Sequence, residues 1–300
     1  MLKVSRNSTA MQSQSPLLEL PAELRNQIYE LVLGRELLHV YRSSYQDTSF
    51  HITICQSQSA EMNAYKRFLD PSIDERAKIT SKYTRKVSLQ NYFTVGDEYY
   101  VDPCSSRHTR GECYNAGNPS LHLSLLRVCK QIYDEARLAP YSANTFGFQS
   151  ADTFNLFIST LTPSKRSALE RLHFTRNIPN IGMSQIKSPD PPLTGLKALH
   201  LSLENKPNYS SKASLIEPNN TDIWIRDILL LDRRLLKTVT VIFSDHPFVV
   251  RDFKKRFQLI ESPSSGQNLD DWLEEREHRF LTANQKRDIA ERIRTRLLKP

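Results

Sequence analysis

Leu169-Glu-Arg-Leu-His-Phe174, Leu196-Lys-Ala-Leu-His-Leu-Ser-Leu203 and Leu236-Lys-Thr-Val-Thr-Val-Ile-Phe243 share one form, L-x-x-L/V-x-apolar. The last two continue to alternate, which is the period of a strand with one buried face. The interval from Leu169 to Leu196 is shorter than that from Leu196 to Leu236, so the recurrence predicts stacked helix–strand units and not a regular solenoid. Pro189, Pro191 and Pro192 mark one connecting loop, and residues 204–221, with Pro207, Pro218 and several Asn and Ser, mark another. Ile223–Leu231 reads as a helix between the second and third strands. His173 and His200 occupy matching places in their segments. Alternation turns both away from the apolar core, toward an expected solvated face.

Two amphipathic helices are legible upstream. In the first, Leu17-Leu-Glu-Leu-Pro-Ala-Glu-Leu-Arg-Asn-Gln-Ile-Tyr-Glu-Leu-Val-Leu-Gly34, Pro21 suits a first turn, where its missing N–H is not needed. Leu24, Ile28, Leu31 and Val32 recur at helical spacing, and Gly34 is a stop signal. The second runs from Ser120 to Arg137, with Leu125, Val128, Cys129, Ile132, Tyr133 and Ala136 on one apolar face and Pro140 beyond its end.

Between these helices, β-branched and aromatic content predicts strands at Leu37–Tyr41, Phe50–Cys55, Tyr83–Leu89 and Tyr99–Val101, with a helix at Glu61–Leu69. Residues 102–120 are rich in turn formers. Further on, Asn144–Phe148 reads as extended and Ala151–Ser159 as helical. The C-terminus reads as two helices. Leu269–Phe280 has Asp270 and Asp271 in its first turn, and a last helix, capped by Thr282, carries Ile289, Ile293 and Leu297 on its apolar stripe. The expected division is a disordered Ser- and Gln-rich tail at 1–16 and a helical pair at 17–148 with a β-rich insertion at about 35–119. A helix–strand repeat region at 149–260 and C-terminal helices at 261–300 complete it. The fold class is α+β.

The two helices carry a resemblance. Leu18-x-Leu-Pro-x-Glu-Leu-Arg-x-x-Ile-Tyr-x-x-Val-Leu33, with the later Leu125-Leu-Arg-Val-Cys-Lys-Gln-Ile-Tyr-Asp-Glu-Ala136, is similar to a fungal family of uncharacterised proteins with a split F-box-like motif. The F-box opens on Leu-Pro-x-Glu and an apolar helix, matched at Leu20–Leu31, and its later part holds Val-Cys-(Lys/Arg), matched at Val128, Cys129 and Lys130. In an ordinary F-box these parts are adjacent, whereas here residues 34–124 lie between them. Tyr141-x-x-Asn144-x-Phe146-x-Phe148 extends the likeness. The recurring strands further along resemble, loosely, those of leucine-rich repeats. The F-box resemblance implies an adaptor that docks a Skp1-like protein, joins a cullin-type ubiquitin ligase and selects a protein substrate with the rest of the chain. It makes Leu20, Pro21, Leu24, Ile28, Val128, Cys129 and Ile132 the candidate partner-docking residues. The alternative is that the same helices only pack against their own chain, with no ubiquitin role.

Chemistry-bearing motifs are sparse. With 8 glycines in 300 residues, neither phosphate-cradling glycine loop is present. The 8 histidines form no HExxH pattern, and no nucleophile–base pair can be located from spacing. Cys104, His108 and Cys113 form a three-member set in a turn-rich loop. A closed zinc site needs four ligands, which Cys55 or His122 could complete; free or chance-paired thiols are the competing reading. Cys129 is expected in the core. No catalytic residue, metal or other cofactor is expected, and an enzyme with a dispersed site stays as an alternative.

The 41 Lys+Arg against 33 Asp+Glu leave +8, spread along the chain. Basic runs at Arg76–Lys86 and Arg251–Arg256 include aromatic residues, which leaves weak nucleic-acid binding as a further alternative, though solvated faces explain them as well. No stretch approaches the roughly 18–20 apolar residues that span a bilayer. The first residues lack the apolar run of a secretory signal. Four cysteines at irregular spacing point to a reducing compartment, so Asn7, Asn208 and Asn219 carry little weight as glycosylation sites. The expectation is a cytoplasmic or nuclear, non-enzymatic interaction protein without a membrane partner.

Overall fold

The computed structural model describes residues 15–42, 48–55, 65–66, 68–70, 121–178, 185–187, 189–190, 192–205, 221, 225–245 and 283–299. The expected strands at 83–89 and 99–101, the helix at 269–280, both basic runs, the Cys104/His108/Cys113 set and the Thr282 cap lie outside them. Of the expected helix at 61–69, the described residues Tyr65, Lys66, Phe68 and Leu69 are helical.

The chain is mixed α+β around a six-stranded sheet. A helical turn, α1 (Pro16–Glu19), leads into α2 (Ala22–Leu33). Next come strands β1 (Leu37–Tyr41) and β2 (His51–Ile54). A 3-10 turn at Leu123–Arg127 precedes α3 (Lys130–Ala136) and α4 (Ala139–Ser142). Strand β3 (Thr145–Phe148), α5 (Ala151–Thr160), α6 (Pro163–Ser167) and β4 (Arg171–Ile178) follow. Then come β5 (Ala198–Asn205), a 3-10 turn at Ile228–Leu230, β6 (Thr238–Asp245) and α7 (Ala283–Leu298).

Strand order is β2-β1-β3-β4-β5-β6. Only β1 and β2 pair antiparallel; every other neighbour is parallel. Each parallel strand is thus laid beside its predecessor. With crossovers of one hand, such an order puts the connections on one face of the sheet. The three recurring segments align in register, Leu172 opposite Leu199 and Leu199 opposite Val239. Their strand entries also repeat. The Glu170 carbonyl accepts from the amides of Lys197 (2.8 Å) and Ala198 (2.9 Å), and the Lys197 carbonyl accepts from Lys237 (2.8 Å) and Thr238 (3.1 Å). Strand β1, which falls within the expected insertion, joins the same sheet beside β3.

Alternate residues of these strands build the core. Leu38, Val40, Phe146, Phe148, Leu172, Phe174, Leu199, Leu201, Val239 and Val241 are buried in one continuous cluster with Phe154 and Phe157 of α5. The Phe148 and Phe154 rings meet edge to face at 5.2 Å, a favoured geometry for aromatic pairs. Helix α5 starts where the Ser150 hydroxyl accepts the Asp152 amide at 3.2 Å, with Asp152 placed at the positive helix end. Helix α7 buries Ile289, Ile293 and Leu297, as its stripe predicts. The Arg233 guanidinium caps its far end through the carbonyls of Arg296, Leu297 and Lys299.

Three expectations change. The helix anticipated over 120–137 is broken: Cys129 is extended (φ −159°, ψ 165°), so a 3-10 turn precedes it and α3 starts only after it. Pro21 is the N-cap of α2 and not a first-turn residue, its carbonyl accepting the Arg25 amide at 3.1 Å. Gly34 does end α2 as its stop signal predicts, in extended backbone (φ −139°). Its small size is what the site requires, because a Cβ there would fall 2.2 Å from Ala143 Cβ. In the expected helix over 223–231, the described residues hold the short 3-10 turn at Ile228–Leu230.

Candidate functional site

Helix α2 has two apolar faces. Tyr29 and Leu33 turn inward and pack with Ile132 and Ala136 of α3 in a small cluster, flanked by partly buried Val32, Leu125, Leu126 and Cys129. Leu24, Ile28 and Leu31, at i, i+4 and i+7, lie on another face. Leu24 is 45% exposed, Leu31 61% exposed, and Ile28 half-buried between them. Helix α2 packs inward on α3 and α4, and a second apolar stripe is left on another face, toward solvent.

Polar groups hold the inward face in place. Arg25 Nε donates to Glu135 Oε2 at 2.9 Å and Arg25 Nη2 to Oε1 at 2.8 Å, the paired geometry that suits a guanidinium and a carboxylate. The Tyr29 hydroxyl donates to Oε2 at 2.9 Å and Gln131 Nε2 to Oε1 at 3.1 Å. The Arg25 hydrogen bond, with help from Gln131 and Tyr29, holds the Glu135 carboxyl down to about 2, from an ordinary 4.5. Burial, reinforced by Glu135, pushes the Tyr29 phenol up. Below the clasp, Asn144 is fully buried. Its Nδ2 donates to the carbonyls of Leu33 (2.7 Å) and Pro140 (2.8 Å), and its Oδ1 accepts the Glu36 amide (2.9 Å). None of this clasp follows from apolar periodicity. The i, i+4 pairs Arg25/Tyr29 and Gln131/Glu135 were its only local signal.

The docking candidates fall into three groups. Pro21, Leu24 and Val128 are exposed, Val128 at 63%. Leu20, Ile28 and Cys129 are half-buried, and the Leu20 carbonyl accepts from Arg25 Nη1 at 2.6 Å. Ile132 is 1% exposed, so it supports the surface from beneath and offers none of its own. Cys129, expected in the core, sits at the edge of the small cluster.

The sheet face opposite the main core carries a second constellation. His39, Gly147, His173, His200 and Thr240 stand in one row across five strands. The expectation of solvated histidines is overturned at His173, which is 1% exposed. Its ring meets that of His200 at 4.4 Å, nearly perpendicular, and their Nε2 atoms lie 3.3 and 3.4 Å from the Ser202 hydroxyl. Ser202 is itself buried, so the trio stitches β4 to β5 and leaves its hydroxyl no open approach. Among the described residues, no group of three or more His, Cys, Asp or Glu is placed to hold a metal ion, and no helix is long and apolar enough to cross a membrane.

A family model for a domain of unknown function, DUF7730, matches residues 10–191. The chain belongs to this family. The DUF7730 match takes in the α2–α3 clasp, the outward stripe and strands β1 to β4, and it stops before β5. No curated protein and no solved structure shows significant similarity to the chain.

Proposed function

We propose that this DUF7730 protein is a non-enzymatic protein-interaction protein, and that α2 docks a Skp1-like adaptor as part of a cullin-type ubiquitin ligase in the cytoplasm or nucleus. The observation that carries the reading is the solvent-facing stripe of Leu24, Ile28 and Leu31 on a helix already packed through Tyr29 and Leu33. An amphipathic helix that keeps apolar side chains at i and i+7 in solvent, with a half-buried one at i+4 between them, has the layout of a helix-in-groove contact. The resemblance of Leu20–Leu31 and Val128–Lys130 to an F-box names the class of partner. The rest of the chain then selects the protein substrate.

A second reading has its own observation. The Arg25–Tyr29–Glu135 network and the Ile132/Ala136 contact explain much of the two-helix motif as intrachain packing, with no ubiquitin role. Co-elution of the purified full-length chain with a Skp1-like protein on size exclusion separates the two. The expected result is a complex that Leu24→Asp/Ile28→Asp abolishes while the variant keeps its circular dichroism spectrum. Well-folded wild type that forms no complex would leave the packing reading in place.

A further inference from the structure

A cavity of about 900 Å³ lies where the 3-10 turn at Leu123–Arg127, α3, β1, β2, β3, α5 and α6 converge. Its volume is at the upper end of the roughly 300–1,000 Å³ usual for small-molecule sites. Its floor is buried and apolar, formed by Leu38, Phe146 and Phe157. At its rim, Ile52, Leu123 and Tyr133 remain exposed, so three large apolar side chains stand in solvent around one opening. All the charged residues among its described lining are cations, namely Arg127, Arg137 and Lys165. Arg127 and Arg137 are exposed, and Lys165 Nζ sits 5.4 Å above the Tyr141 ring. None of the three forms an ion pair with a described residue.

We propose that this cavity binds a long-chain carboxylate, its hydrocarbon tail over Phe146 and Phe157 and its head group among Arg127, Arg137 and Lys165. The charge pattern decides the head: an apolar body with one anionic end meets three cations and, among the described lining residues, no carboxylate. The floor decides the tail. A peptide would bring amides and carbonyls that need partners, and the described polar lining beyond the cations and the tyrosines is three threonine and serine hydroxyls, Thr160, Thr162 and Ser164. A hydrocarbon chain needs no such partners. The site shares no residue with the outward stripe of α2, so it stands apart from the docking proposal.

Calorimetric titration of the full-length protein with sodium dodecanoate, below its micellar range and at pH 8, tests this. Dodecyltrimethylammonium and 1-dodecanol serve as tail-matched controls. The expected result is saturable one-to-one binding of dodecanoate, tighter than the cation by at least about tenfold, as opposite head charges against three cations require. Arg127→Gln/Arg137→Gln/Lys165→Gln should weaken it by about tenfold or more. Leu123→Glu, which adds a carboxylate at an exposed rim position, should weaken the anion and not the cation. Leu24→Asp/Ile28→Asp should leave binding unchanged. Absent or non-saturable binding of dodecanoate, equal affinity for the two charged heads, or indifference to both the triple variant and Leu123→Glu would overturn the proposal.

Discussion

Arg25 and Glu135 meet through two parallel N–H···O bonds, 2.9 and 2.8 Å long, across 110 positions of sequence. One residue comes from each half of the split helical motif, and the contact fixes how α2 lies on α3. Because Tyr29 donates to the same carboxylate, one acid orients two side chains of α2, and thereby decides which apolar residues face outward.

The first prediction concerns pH. The Glu135 carboxyl falls from an ordinary 4.5 to about 2 in the folded chain, so between those values the unfolded state binds more protons. The stability that Glu135 contributes is complete above about pH 4.5 and is lost as pH falls toward 2. Acid titration followed by near-ultraviolet circular dichroism should show loosening in that window. Glu135→Gln should lower the thermal midpoint at pH 7 and flatten the acid limb. An unchanged limb would sink the assignment.

Asn144→Ala should be among the most damaging single changes outside the apolar core. It removes the partner of two carbonyls and one amide in a fully buried place, at a cost of about 2–4 kcal/mol. Urea denaturation measures the loss. Asn144→Asp, which keeps the acceptor and deletes the donors, should recover little.

Gly195 lies where a Cβ would come within 2.0 Å of the Ser167 carbonyl oxygen, a backbone atom that cannot swing aside. Gly195→Ala should therefore displace the entry of β5 and cost about 2–3 kcal/mol. The measurement is again equilibrium unfolding, and a neutral result would show that the loop yields.

Leu31 and Leu33 are two positions apart and should behave oppositely. Leu31→Asp, on the exposed stripe, should change stability by no more than about 0.5 kcal/mol. Leu33→Ala, fully buried against α3, should cost about 2–5 kcal/mol. Thermal unfolding of the two variants distinguishes a free stripe from one that is covered.

Among the described residues, strands were the most legible elements. Alternation at Leu172/Phe174, Leu199/Leu201 and Val239/Val241 locates three of them, because each needs only its own side chains to declare a buried face. The helix stripe of Ile289, Ile293 and Leu297 was readable for the same reason. The outward stripe of α2 was legible as an apolar pattern but not as an exposed one, since periodicity gives a face its character and not its direction.

The sequence by itself determined which segments alternate, which helices have apolar stripes, and that the excess positive charge is spread along the chain and not held in one block. Tertiary structure alone decided that β1 joins the recurring strands beside β3, and that His173 is sealed against His200 and Ser202. It also decided that Arg25 and Tyr29 close on Glu135, and that three cations from separate elements line one largely apolar cavity. The reason is physical. Secondary structure follows from contacts between residues a few positions apart, whereas pairing order, burial and cavity lining depend on contacts between residues far apart in sequence, and no local pattern encodes which distant partner arrives.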